Sequence, residues 1–175
     1  YPRVKKFFFL FIFILSFSKA NSENFKFVKI ANLNNPWGSS FLNNDEMIIT
    51  EKSGLIKIVN IINNQVNDVE HNLNFLEDGQ GGLLDILHQE NKVWISYTEN
   101  RGNRKTSTSI ALANLDKKNL VFKNIFQANP PINSGYHFGS RLAIKDNYLF
   151  ASAGERGKGM IAQDASKHPG SIIRI

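Results

Sequence analysis

From residue 21 onward the apolar residues come in short bursts rich in Ile, Val, Phe and Tyr, separated by clusters of Asn, Gly, Asp and Lys. A helix facing a core repeats its apolar positions every three or four residues over several turns, and that period is hard to find here. Short β-branched and aromatic runs bounded by turn formers predict strands instead. Strands are expected over residues 24–29, 38–42, 46–51, 55–60, 83–87, 92–98, 109–114, 120–126, 141–144, 148–152 and 171–175. The expected class is all-β. Asn is used so freely throughout that a lone Asn marks a turn less sharply than usual.

Three stretches share one layout: a Gly, an apolar strand, a polar turn, a second apolar strand, then a small residue followed by Glu. They run from Gly38 to Thr50-Glu51, from Gly82 to Thr98-Glu99, and from Gly139 to Gly154-Glu155. A repeat near ~40–50 residues with about four short strands each is the pattern of propeller blades. A sandwich would also have short strands, but it would not repeat this order. About two and a half blades are expected. Because the chain stops inside an expected strand at Ile175, it reads as part of a longer protein.

The first twenty residues differ from the rest. Arg3, Lys5 and Lys6 precede an apolar run over residues 7–17 that only Ser16 interrupts, and Ser18-Lys19-Ala20 puts small residues where a signal peptidase cleaves. Eleven residues are too few for a helix to span a bilayer, which takes about 20. Residues 1–20 therefore read as a secretory signal, with a membrane anchor or an amphipathic surface helix as the alternatives. Residues 21–175 form the exported part, periplasmic or secreted, with no stable membrane span after cleavage.

The formal net charge of +6 suggests at first a nucleic-acid partner. Four of the basic residues lie within the first twenty positions, where there is no acid, and the remainder is close to neutral. No basic stripe of the kind that neutralises phosphates is left, so nucleic acid is not an expected partner. Cysteine is absent, which rules out disulfides, thiolate metal sites and a cysteine nucleophile within this sequence.

Most chemical motifs fail. The segment Gly154-Glu155-Arg156-Gly157-Lys158-Gly159 has no Ser or Thr after its Lys and no helix pattern behind it, so it is not a phosphate-binding loop. His71, His88 and His168 have no partner at ligand spacing. Two segments remain, 78–85 around Gln80 and 135–142 around His137, each leading into a strand that opens a repeat. In a propeller both positions could face one axial pocket, where a His can act as a general base. A His before a strand also serves simply as a turn or hydrogen-bonding residue. Trp37 and Trp94 read as blade core rather than as sugar platforms.

The motifs Pro36-Trp37-Gly38, Gly79 through Asp85, His137 through Leu142, Gly154-Glu155-Arg156, Ala162-Gln163-Asp164 and Gly170 through Ile175 occur in one order. Together they resemble the soluble quinoprotein glucose/sorbosone dehydrogenases, also called aldose sugar dehydrogenases. That resemblance implies a six-bladed propeller binding pyrroloquinoline quinone (PQQ) and calcium over its central opening. It implies that His137 is the base that deprotonates an anomeric hydroxyl while a hydride passes to the quinone, and that Gln80 touches cofactor and substrate. Arg141 falls at a supporting position, where an ion pair with an acid such as Glu155 is an equal alternative. The calcium ligands and the basic residues holding the quinone carboxylates are expected beyond Ile175. Ser171 stands where the family's last motif usually has Lys. The implied partners are a sugar substrate and an unidentified electron acceptor. The rival readings are an exported, non-catalytic propeller that binds carbohydrate or protein, a propeller hydrolase using calcium-bound water, and an inactive remnant.

Overall fold

The computed structural model describes residues 25–175, so the export signal expected over 1–20 lies outside the described residues. The chain forms three antiparallel sheets in sequence. The first contains β1 (Pro36–Phe41), β2 (Glu46–Glu51), β3 (Leu55–Asn60) and β4 (Val66–His71). The second contains β5 (Leu83–Gln89), β6 (Lys92–Asn100), β7 (Thr106–Asn114) and β9 (Lys123–Gln127), and the third β10 (Gly139–Lys145), β11 (Tyr148–Ala153) and β12 (Ser171–Arg174). The short β8 (Asn119–Leu120) leaves the second sheet and pairs in parallel with the outer edge of β4. A single 3-10 turn, Gly159–Gln163, interrupts the strands. The result is a partial β-propeller with two four-stranded blades and three strands of a third.

Each sheet is a meander whose strands pair with their sequence neighbours, and each innermost strand carries a bulge near its start. A bulge tightens the twist and frees one backbone group from the ladder. Hydroxyls on the second strands use those freed groups to bind the next blade. Thr50 Oγ1 accepts the Gly38 N–H (3.0 Å) and donates to the Leu84 carbonyl of the second blade (2.5 Å). Ser96 Oγ accepts the Asp85 N–H (3.0 Å) and donates to the Ser140 carbonyl of the third blade (2.7 Å). At about 0.5–1.5 kcal/mol net for each bond, these links fix register more than they supply stability.

Stability comes from the layers between sheets. Ile48, Ile56, Ile58, Leu83, Ile86, Val93 and Ile95 are buried together where the first blade faces the second. Ile110, Leu142, Leu149 and Ala151 do the same between the second and third, with Trp94 packed against them. Each fully buried Ile or Leu contributes roughly 1.5–3 kcal/mol of transfer free energy. At the axial end the blades meet backbone to backbone. A Cβ added to Gly38 would lie 2.7 Å from the Asp85 Cα and 2.7 Å from the Leu84 carbonyl oxygen.

Three expectations need correction. Residues 25–29 form no strand: they have no ladder partner among the described residues, and Phe25, Phe27 and Val28 are exposed. β4 was not expected, because only Val69 of its six residues is buried and an outer strand shows little apolar pattern. Trp37 is not core; it is 46% exposed on the axial side of the first blade.

Candidate functional site

The third blade departs from the repeat where it meets the axis. In the second blade Thr98 follows the residue paired with Leu83, and its N–H bonds the Gly82 carbonyl while its hydroxyl accepts the Gly82 N–H. The matching residue of the third blade is Gly154, whose N–H bonds the Phe138 carbonyl (3.1 Å). Here no hydroxyl is present and none would fit: a Cβ on Gly154 would lie 2.0 Å from the His137 carbonyl oxygen. The missing side chain lets residues 134–138 fold down over the end of the sheet and carry His137 with them.

His137 itself sits at φ 50°, in the left-handed region that a non-glycine residue adopts only when its surroundings hold it there. Its backbone N–H donates to Gln80 Oε1 (2.9 Å), and the Gln80 N–H donates to the Gly135 carbonyl (2.7 Å). Gln80 and His137, nominated from separate repeats, are therefore directly in contact. Since Oε1 is occupied by a backbone donor, the amide end of Gln80 is the end left to offer two N–H groups.

The imidazole is held from one side. His137 Nδ1 lies 2.5 Å from Glu155 Oε1, and the Gly157 N–H donates to the same oxygen at 3.1 Å. The hydrogen bond from His137, followed by the backbone donors, holds the Glu155 carboxyl below the usual carboxylate range. An ionised carboxylate can only accept, so Nδ1 carries the proton and Nε2 of the neutral ring has the free lone pair. Nε2 makes no hydrogen bond among the described residues, and the side chain is 55% exposed. The arrangement is a half-exposed imidazole with an acid on its Nδ1 side.

Arg141 is placed differently from the expected pairing with Glu155. Its guanidinium bonds Asp85 of the second blade (3.1 Å) while remaining 76% exposed. Asp85 is buried and also accepts the Leu142 N–H at 2.7 Å. Arg141 thus lies over an interblade contact and keeps most of its surface free. Near Gln80, residues Asn35, Trp37, Lys52 and Gly79 line a shallow cavity of about 380 Å³. Lys52 Nζ bonds the Gly79 carbonyl (2.7 Å), which steadies the Gln80 loop. Among the described residues no group of three or more His, Cys, Asp and Glu side chains comes together to hold a metal ion.

Two participants were not singled out as such in the sequence. Glu155 was placed beside Arg141 rather than His137. Arg156 was read as part of a glycine-rich stretch and of a family motif, with no role of its own, yet it is 2% exposed beneath the His137 loop. The repeat held a signal for the first: Glu99 stands at the same place in the second blade and is a buried acceptor.

Comparison with known proteins identifies a family and a shared fold. Residues 33–175 match the family described as Glucose / Sorbosone dehydrogenase. Aldose sugar dehydrogenase YliI of Escherichia coli (strain K12) is 30% identical over 153 residues, covering 82% of this chain and 41% of that protein. The apo-form crystal structure of the soluble aldose sugar dehydrogenase from Escherichia coli superposes with a TM-score of 0.77 at 28% identity, over 82% of this chain and 44% of that one. The PQQ-bound form of aldose sugar dehydrogenase from Streptomyces coelicolor shares the fold, with a TM-score of 0.71 at 23% identity over 82% and 45% of the two chains. The chain spans about two fifths of the length of the curated relatives it matches.

Proposed function

The chain belongs to the glucose/sorbosone dehydrogenase family, and on that basis we propose that it forms the first blades of an exported quinoprotein that oxidises an aldose-type sugar at its anomeric hydroxyl. The substrate is a sugar, the cofactor is PQQ, and an electron acceptor of unknown identity reoxidises the enzyme. The observation that best supports this reading is the His137–Glu155 contact of 2.5 Å, which leaves Nε2 as the outward base.

The donor set at the axis fits an anionic quinone in part. The free amide end of Gln80 and the exposed guanidinium of Arg141 are donors; Glu155 and Asp85 are already bonded, and Asp78, two residues before Gln80, is a further acid beside the loop. When bound, PQQ supplies the two-electron acceptor for hydride leaving the anomeric carbon. Gln80 and Arg141 are the residues of this chain that would hold it. Calcium has no ligand set among the described residues.

His137 Nε2 takes the proton of the anomeric hydroxyl as the C–H bond breaks, and the anomeric carbon becomes a lactone carbonyl. Glu155 holds the ring in the tautomer that can accept and stabilises the imidazolium that forms, the role an acid plays behind any His base. Gln80, bonded to the His137 backbone, links the base to the rim where cofactor and sugar meet.

The test is His137→Ala in the full-length protein loaded with PQQ. Dye-linked sugar oxidation should fall by about 10²–10⁴-fold, the usual worth of a general base, in a protein that still folds. Near-normal turnover would remove His137 from the reaction.

A further inference from the structure

We infer that Arg156 is a positioning residue for this reaction: its buried guanidinium clamps the 134–138 loop to the preceding blade and thereby sets the orientation of His137. The inference rests on the reading of His137 as the base.

Every backbone carbonyl of that loop can be followed to a partner. Gly135 and His137 are held by Gln80, and the Phe138 carbonyl accepts from Gly154 and from Thr108 Oγ1 (2.7 Å). The carbonyls of Ser134 and Tyr136 have no donor among the described residues except Arg156. Arg156 Nε donates to the Tyr136 carbonyl at 3.0 Å, and Nη2 donates to the Ser134 carbonyl. The same guanidinium bonds Thr106 of β7, through Nη1 to its carbonyl (3.1 Å) and through Nη2 to its hydroxyl (2.7 Å). Its Cζ lies 3.7 Å over the Phe138 ring. One planar group thus joins two loop carbonyls, a strand of another blade and the aromatic residue that follows His137.

Among the described residues no carboxylate is bonded to it. Burial pushes the Arg156 pKa down to about 10, with Asp78 the charge that offsets part of the effect. Placing a cation there is unfavourable beside a well-packed apolar side chain, so bulk stability does not explain the choice. Convergent carbonyls do: their dipoles repel unless a cation with several donors in a plane lies among them, and Arg supplies five such donors where Lys supplies a point charge. The backbone adds a second grip. Arg156 stands at φ 60° and its N–H bonds the His137 carbonyl at 3.3 Å, while the adjacent Glu155 holds the ring. Consecutive residues therefore fix the backbone and the imidazole of His137 from the same side.

The experiment uses the full-length protein with PQQ and compares Arg156→Lys and Arg156→Met with wild type. In both variants kcat should fall about 10–100-fold, as expected when a reacting group is displaced by up to 1 Å, with KM within about threefold. Histidine-selective ¹⁵N NMR gives a readout independent of turnover. Wild type should show His137 with its proton on Nδ1, and the variants should show a mixture of tautomers. Unchanged kcat and an unchanged tautomer in a folded variant overturn the inference. If Arg156→Met fails to fold, Arg156→Lys decides alone on the same two readouts. The two readings separate cleanly: an active His137→Ala protein removes the base assignment, whereas an inactive one beside a fully active Arg156→Lys removes only the clamp.

Discussion

Asp85 offers a sharp quantitative test, because its two partners should be worth very different amounts. Its carboxylate is buried and accepts the Leu142 N–H at 2.7 Å, and Leu142 is itself only 5% exposed. Removing the carboxylate leaves that N–H without a partner in the interior, a cost of about 1–3 kcal/mol, and forfeits a charge-assisted bond. The second partner, Arg141, is 76% exposed, and exposed ion pairs contribute about 0.2–1 kcal/mol. Asp85→Ala should therefore lower stability by about 2–3 kcal/mol. Asp85→Asn, whose carbonyl can still take the Leu142 N–H, should lose about 1 kcal/mol. Arg141→Met should lose less than about 1 kcal/mol. The assay is urea unfolding of the full-length protein, comparing midpoints at constant slope so that differences reflect stability alone. Equal losses for Asp85→Ala and Arg141→Met would refute the reasoning, since the ion pair and not the backbone bond would then carry the contact. Turnover in Arg141→Met adds a second reading: reduced activity at full stability would assign Arg141 to cofactor or substrate.

Three further outcomes follow from the site. Gly154→Ala places a Cβ where the His137 carbonyl oxygen is 2.0 Å away; the loop must retreat by about 1 Å, and kcat should drop about 100-fold, an idea sunk by activity within twofold of wild type. Glu155→Gln removes the charge and lets an amide donor face Nδ1, and kcat should fall by about 10²-fold or more, toward the ~10⁴-fold cost of making the acid behind a His base an amide. The folded pKa of Glu155 lies below its unfolded value. Its stabilising contribution is thus complete above the ordinary carboxylate range and is lost as pH falls through the lowered value. Unfolding midpoints of wild type and Glu155→Gln should accordingly converge as pH falls through the lowered Glu155 pKa and separate above the ordinary carboxylate range; a gap that widens on acidification would contradict the sign.

Much of the fold could be read from the pattern of apolar residues, and the exceptions have specific causes. Residues 46–51 and 55–60 were bounded correctly because both strands are central and flanked by turn formers. β7 begins at Thr106, three residues before its expected start, because Thr106, Ser107 and Thr108 are buried through their hydroxyl bonds and backbone rather than by apolar character. The region 120–126 divides into β8 and β9, since Leu120 pairs with the first blade while Phe122 turns into the core beneath it. At the site, Gln80 and His137 were nominated from their places two residues before Gly82 and Gly139, and the structure brings them into contact, although the strand register aligns Gln80 with Tyr136. The exchange of acids between His137 and Arg141 was not, because sequence order does not reveal which blade a carboxylate faces. Arg156 could not be found by composition either: a cation between glycines reads as a solvated turn until the carbonyls around it are seen.

The contact at Gly38 has a geometric consequence for the whole ring. A blade is a wedge, and the thickness of its narrow end relative to its wide end sets how far each sheet rotates from the one before. With no side chain at Gly38, the first and second inner strands approach to backbone distance, while Ile and Leu side chains separate the sheets farther out. Thin inside and thick outside means a large turn per blade, and a large turn per blade means that few blades complete the circle. A bulkier residue at position 38 would therefore act on the closure angle, leaving each sheet well formed while the two ends of the ring no longer meet.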